Sequence, residues 1–104
     1  MPNITQNEFD ELVEQAVREL PDRFKSLIDN VAVVVEEEPD EEEEDEELLG
    51  IFRSQPPLPS QVVIFRGPIL RIARNRRDAI REIRETVIHE LGHYFGLDDD
   101  GMAY

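Results

Sequence analysis

From Asn75 onward the chain carries a pattern that commits it to one long helix with two different faces. Ile80, Ile83, Val87, Leu91 and Tyr94 recur at helical spacing and make one apolar stripe. At about 100° per residue, His89 and His93 fall on roughly the opposite side. These are the chain's 2 histidines. Residues four apart lie about one turn along the same side of a helix, so the two imidazoles can share one metal ion. Glu90 follows His89 directly and projects beside such an ion without ligating it. There it can take a proton from a water that the ion activates. The stretch His89-Glu90-Leu91-Gly92-His93 is H-E-x-x-H, in which two helical histidines bind zinc and the glutamate serves as general base. Asn75 is a good N-cap, and Asp78 in the first turn suits the helix dipole.

The pattern continues past the helix. Two helical ligands leave a tetrahedral zinc short of a third protein group. Supplying it from nearby sequence requires the helix to stop and the chain to turn back. Gly96 suits that turn, because glycine accepts the left-handed conformation at a helix C-terminus. Asp99 then stands where the longer motif H-E-x-x-H-x-x-G-x-x-H has its third histidine, and aspartate is an acceptable zinc ligand. By spacing alone, Asp98 and Asp100 compete with it. Met102 invites comparison with a methionine turn beneath a metal, but methionine is a common gap filler and packing is the preferred reading. Tyr94 or Tyr104 can donate to an oxyanion, although tyrosine more often packs with its hydroxyl at the surface.

Ahead of this helix the chain alternates short elements. Thr5 and Glu8 form a capping box, with Ile4 and Phe9 placed as a hydrophobic staple. Phe9, Leu12, Val13, Ala16, Val17 and Leu20 continue as a helical stripe that Pro21 ends. Val31 to Val35 reads as a strand buried on both faces. Leu48 to Phe52 and Gln61 to Phe65 read as a second and a third strand, separated by the proline-rich residues 55–60. Gly67-Pro68 interrupts or ends the third, and Ile69 to Ile72 is a short fourth strand or an extension of it.

One domain is expected over residues 1–104, with residues 36–47 as an acidic loop insertion. Those twelve positions hold 11 of the 25 acidic residues, and net charge is −14. The remainder is close to neutral. Such a run lacks the apolar residues to fold by burial, and a solvated loop is expected. The sharper alternative is that it folds over the cluster Arg66, Arg71, Arg74, Arg76, Arg77, Arg81 and Arg84. Arg81 and Glu85 are spaced for an i,i+4 pair. The acidity argues against nucleic acid and anionic membranes as partners. No segment is long or apolar enough to cross a bilayer, and Met1-Pro2-Asn3 does not open a signal peptide. With no cysteine, disulfides and thiolate metal sites are excluded, and a cytoplasmic protein is expected.

The chain resembles the small bacterial zincin-like metallopeptidases with the motif H-E-x-x-H-x-x-G-x-x-D, sometimes called mini-zincins. Besides residues 89–99, the resemblance rests on the acidic helix from Glu8 to Leu20-Pro21, Asn30 to Val35, Leu48-Leu49-Gly50 and Ile64-Phe65-Arg66. It implies an α+β zincin-like minidomain: an N-terminal helix, a small three- or four-stranded sheet and a C-terminal active-site helix. It also implies zinc (Zn2+) held by His89, His93 and Asp99, with Glu90 as the catalytic base in peptide-bond hydrolysis. A peptide or protein substrate would add as a strand to a sheet edge beside the active helix. The rival reading, motivated by small size and the lack of a further histidine, is a zinc-bearing binding or regulatory module without turnover. A third makes the acidic run an interaction element carried by the domain.

Overall fold

The computed structural model describes residues 3–40 and 48–96. Thr5 caps α1 (Gln6–Arg18): its side chain accepts from the Glu8 N–H at 3.2 Å, and Glu8 accepts from the Thr5 N–H at 2.8 Å. Ile4 and Phe9, the staple pair, are both buried. Pro21 ends α1, as expected, but also opens α2 (Asp22–Ile28), a seven-residue helix that the sequence reading did not include. Phe24 is its buried anchor. Proline disfavours helix in the residue before it and is well tolerated at a helix start, so one residue both stops and starts.

Three strands follow: β1 (Val31–Glu36), β2 (Gly50–Arg53) and β3 (Ser60–Phe65). Their order in the sheet is β1-β3-β2. β3 pairs parallel with β1, Val33 opposite Val62, and antiparallel with β2, Phe52 opposite Val62. The central strand holds Val62 to Phe65, all fully buried. β1, expected to be buried on both faces, is instead an edge strand that is only half-buried, with Ala32 exposed. A run of β-branched residues fits a strand but does not tell an edge from a centre.

Ile69 to Ile72 is not a strand. The chain leaves β3 directly into α3 (Arg66–Ile72), with Pro68 in its first turn, where a missing N–H costs nothing. The last helix among the described residues is α4 (Arg76–Tyr94). Helices α1 and α4 pack together on one face of the sheet. Phe9, Leu12, Val13 and Ala16 meet Ala79, Ile83, Val87 and Leu91 there, over Val62 and Ile64. Among the described residues, no helix is long and apolar enough to cross a membrane.

The acidic run begins inside the fold, not outside it. Glu36 is the last residue of β1 and pairs with Arg53 at 2.6 Å. Glu37 pairs with Arg66 at 2.6 Å, and Glu38 with Arg71 at 2.9 Å. Gly67 makes room for this strap: its N–H donates to the Glu37 carbonyl at 2.9 Å, and an added Cβ would lie 2.9 Å from that oxygen. These three glutamates therefore depart from the solvated loop expected of residues 36–47. Residues 41–47 lie outside the described residues. Arg81 pairs most closely with Asp78 and Glu82, while the expected Glu85 acts on it through its charge.

The strap's pairs should differ in worth. Arg66 is mostly buried and also donates to the Ile4 carbonyl at 2.6 Å, so its loss strands a backbone acceptor. Arg66→Ala should cost about 1–3 kcal/mol in urea unfolding. Arg71 and Glu38 are half-exposed, and Arg71→Ala should cost about 0–1 kcal/mol. Glu8 yields a pH test. The Thr5 backbone N–H, with Arg76, holds its carboxyl at about 2, against an ordinary 4.5. A depressed folded pKa stabilises above the unfolded value and is lost as pH falls from 4.5 towards about 2. Thermal scans of Glu8→Gln should therefore show a shallower loss of Tm than wild type across that window.

Candidate metal and catalytic site

The site is built on the C-terminal half of α4, and its direction is set from the helix's beginning. Asn75 caps α4 by accepting from the Asp78 N–H at 2.8 Å. Asp78 is buried, accepts from the Arg74 N–H at 3.0 Å and from Arg74 Nε at 3.2 Å, and pairs with Arg81. The Arg74 N–H and guanidinium hold its carboxyl below the usual range. From there Ile83, Val87 and Leu91 run down the core side, all fully buried. The expected last member of that stripe, Tyr94, departs from it and is 49% exposed.

His89 and His93 emerge on the exposed side, their ring centroids 4.2 Å apart and tilted by 54°. Two imidazoles this close, one turn apart, fit joint ligation of a single ion. Glu90 lies between exposure and burial. Burial pushes its carboxyl above the usual range, against the downward pull of the two imidazoles and of the Phe52 backbone N–H. Gly92 is buried. The helix ends as the motif requires: Phe95 N–H donates to the Leu91 carbonyl at 2.9 Å, and Gly96 turns with φ of +71°.

Asp99 and its competitors Asp98 and Asp100 lie outside the described residues, as do Met102 and Tyr104. Among the described residues no three metal-binding side chains converge. Those residues thus offer two nitrogen donors, which zinc accepts, with a carboxylate beside them that is not counted as a ligand.

The sheet brings β2 to this site. Phe65 N–H donates to the Leu49 carbonyl at 2.9 Å. Antiparallel pairing alternates, so Ile51 and Arg53 also turn their main-chain groups to β3. Among the described residues β2 is the edge strand on this side, and Gly50 and Phe52 turn theirs away from β3, consistent with the Phe52 N–H acting on Glu90. The strand sits this close because Gly50 has no side chain. A Cβ there would lie 2.6 Å from Thr86 Cγ2 on α4 and 2.7 Å from the Val63 carbonyl. Phe52 stacks on Tyr94, with centroids 3.9 Å apart and planes 18° apart. No local pattern signals either contact, since each joins residues from distant parts of the chain. Gly50→Ala should lower stability by about 1–3 kcal/mol, read by urea unfolding, because neither neighbour is a flexible side-chain end.

The family model described as zincin-like metallopeptidase matches residues 28–104. A solved structure, a conserved hypothetical protein from T. thermophilus, is similar at 29% identity with a TM-score of 0.62, over 89% of this chain and 95% of that one. Among curated proteins there is no significant match. The α+β minidomain agrees with the matched model, and the chain belongs to the zincin-like metallopeptidase family.

Proposed function

We propose that this protein is a zinc-dependent metallopeptidase that hydrolyses a bond in an extended peptide. The observation that carries the reading is the setting of Glu90. Its carboxylate is partly buried beside two clustered imidazoles, at the free edge of a strand. A carboxylate so desolvated is a stronger base than an exposed one.

His89, His93 and Asp99 would hold the zinc. When bound, zinc polarises a carbonyl and lowers the pKa of a water to about 7. Glu90 accepts the proton of the attacking water and returns it to the departing amine. β2 orients the substrate: Gly50 turns its N–H and C=O, and Phe52 its C=O, away from β3, so an extended peptide pairs there as an added strand while the Phe52 N–H stays on Glu90. The backbone of such a peptide runs past Glu90, because Phe52 is the residue whose N–H acts on that carboxylate. Tyr94, stacked on Phe52, is better suited to shape this edge than to donate to an oxyanion.

The metal half is checked by zinc analysis after loading. Wild type should bind one zinc per chain, and His89→Ala or His93→Ala should abolish it. Asp99→Ala should weaken binding far more than Asp98→Ala or Asp100→Ala; equal effects would mean that the acidic triplet supplies charge and not a ligand. The catalytic half is checked by Glu90→Gln. Cleavage in a broad peptide library should fall about 100-fold or more while zinc stays bound. A fourth protein ligand closing the zinc would favour a binding module instead.

A further inference from the structure

The aromatic cluster beside the site has no part in holding a metal or moving a proton. Phe52 stacks on Tyr94, and Tyr94 meets Phe95 edge-on, with centroids 4.9 Å apart and planes 85° apart. Tyr94 and Phe95 are 49% and 41% exposed. Single exposed apolar side chains are ordinary, but a contiguous ring cluster at the rim of a polar site points to a contact surface.

Its place relative to β2 selects the occupant. Side chains of a strand alternate, so Gly50 and Phe52 share one face, and Gly50's contact with Thr86 identifies it as the α4 face. The same two residues turn their main-chain groups away from β3, the Phe52 N–H towards Glu90 and the others to an edge that no described strand covers. A strand added at that edge puts one side chain directly across from Phe52, with Cβ atoms about 4.5–5.5 Å apart. That side chain lands on the α4 face, against the Phe52 ring and the Tyr94 ring stacked on it. Its own backbone lies next to Phe52, whose N–H acts on Glu90. A flat ring gains most there, since aromatic pairs add to plain burial through offset or edge-on contact. An acidic side chain would meet Glu90 and the protein's overall negative charge.

We propose that this edge selects extended peptides with an aromatic side chain opposite Phe52, seated on the Phe52–Tyr94 stack next to the bond that is cut. The cutting rests on the metallopeptidase reading; the seat for the ring rests on β2 and α4 alone. Phe52 and Tyr94 are then specificity residues, and Tyr94 acts through its ring and not its hydroxyl.

The test uses the zinc-loaded full chain and a set of fluorescein-labelled decapeptides, with one phenylalanine scanned through an Ala/Ser host. Cleavage by wild type is mapped by mass spectrometry, and binding to Glu90→Gln is read by anisotropy. Wild type should cut at a fixed position beside the phenylalanine. Glu90→Gln should bind the best phenylalanine peptide at least about fivefold more tightly than the all-Ala/Ser host. Tyr94→Ala should erase that preference, and Tyr94→Phe should keep it. Leu58→Ala, on an exposed side chain away from the stack, should leave it unchanged. Cleavage indifferent to the phenylalanine, or a preference that survives Tyr94→Ala, overturns the proposed seat and leaves the peptidase standing. Preferential binding without any cleavage supports the seat and counts against the peptidase. Neither binding nor cleavage overturns both.

Discussion

Ile83, Val87 and Leu91 hold α4 in one rotational setting against the sheet and α1, and the site's geometry follows from that burial. A helix that buries one stripe must expose the opposite one, so the imidazoles of His89 and His93 are presented outward by the packing itself. Glu90 is one residue round the helix from His89, which turns it partly back towards the sheet. That intermediate position desolvates its carboxylate without sealing it off. Truncating Ile83 or Leu91 to alanine would cost about 2–5 kcal/mol and would also loosen the aim of the site.

The second constraint is close approach. Gly50 brings β2 against Thr86, and Gly67 brings Glu37 and Glu38 against the start of α3. The first contact turns a short edge strand into one wall of the site. The second ties the chain that leaves β1 to Arg66 and Arg71, so the strongly acidic stretch starts from a neutralised base. Across the sheet, Glu36 on β1 and Arg53 on β2 bracket β3 from both edges. The charge that reads in the sequence as one solvated block begins with three glutamates that the fold pairs with arginines.

Local chemistry made much of this legible. The Thr5–Glu8 box, the Ile4–Phe9 staple, the Asn75 cap and the Gly96 turn are each short-range devices, and each stands where its residues put it. The H-E-x-x-H spacing is likewise local to one helix, which is why the clustering of His89, His93 and Glu90 could be read from it. What escaped was long-range or ambiguous. Glu37 finds a partner 29 residues away and Glu38 one 33 residues away, and nothing in a run of glutamates encodes that. Ile69-Leu70-Arg71-Ile72 fits a strand as well as one helical turn, and only the tertiary setting decides for α3. Pro21 and Pro68 both mark boundaries that open helices. The edge role of β2, and with it the Phe52–Tyr94 stack, depends on strand order, to which no local pattern corresponds.

Whether α4 presents an open zinc site is the claim on which the functional account depends, and the coordination shell itself tests it most directly. X-ray absorption at the zinc edge of the loaded protein should reveal two imidazole nitrogens at about 2.0–2.1 Å with light oxygen donors completing the shell. One oxygen should exchange for an added anion such as azide, as an open position requires. A shell of four protein ligands that no added anion perturbs, or zinc bound without imidazole, would contradict the account.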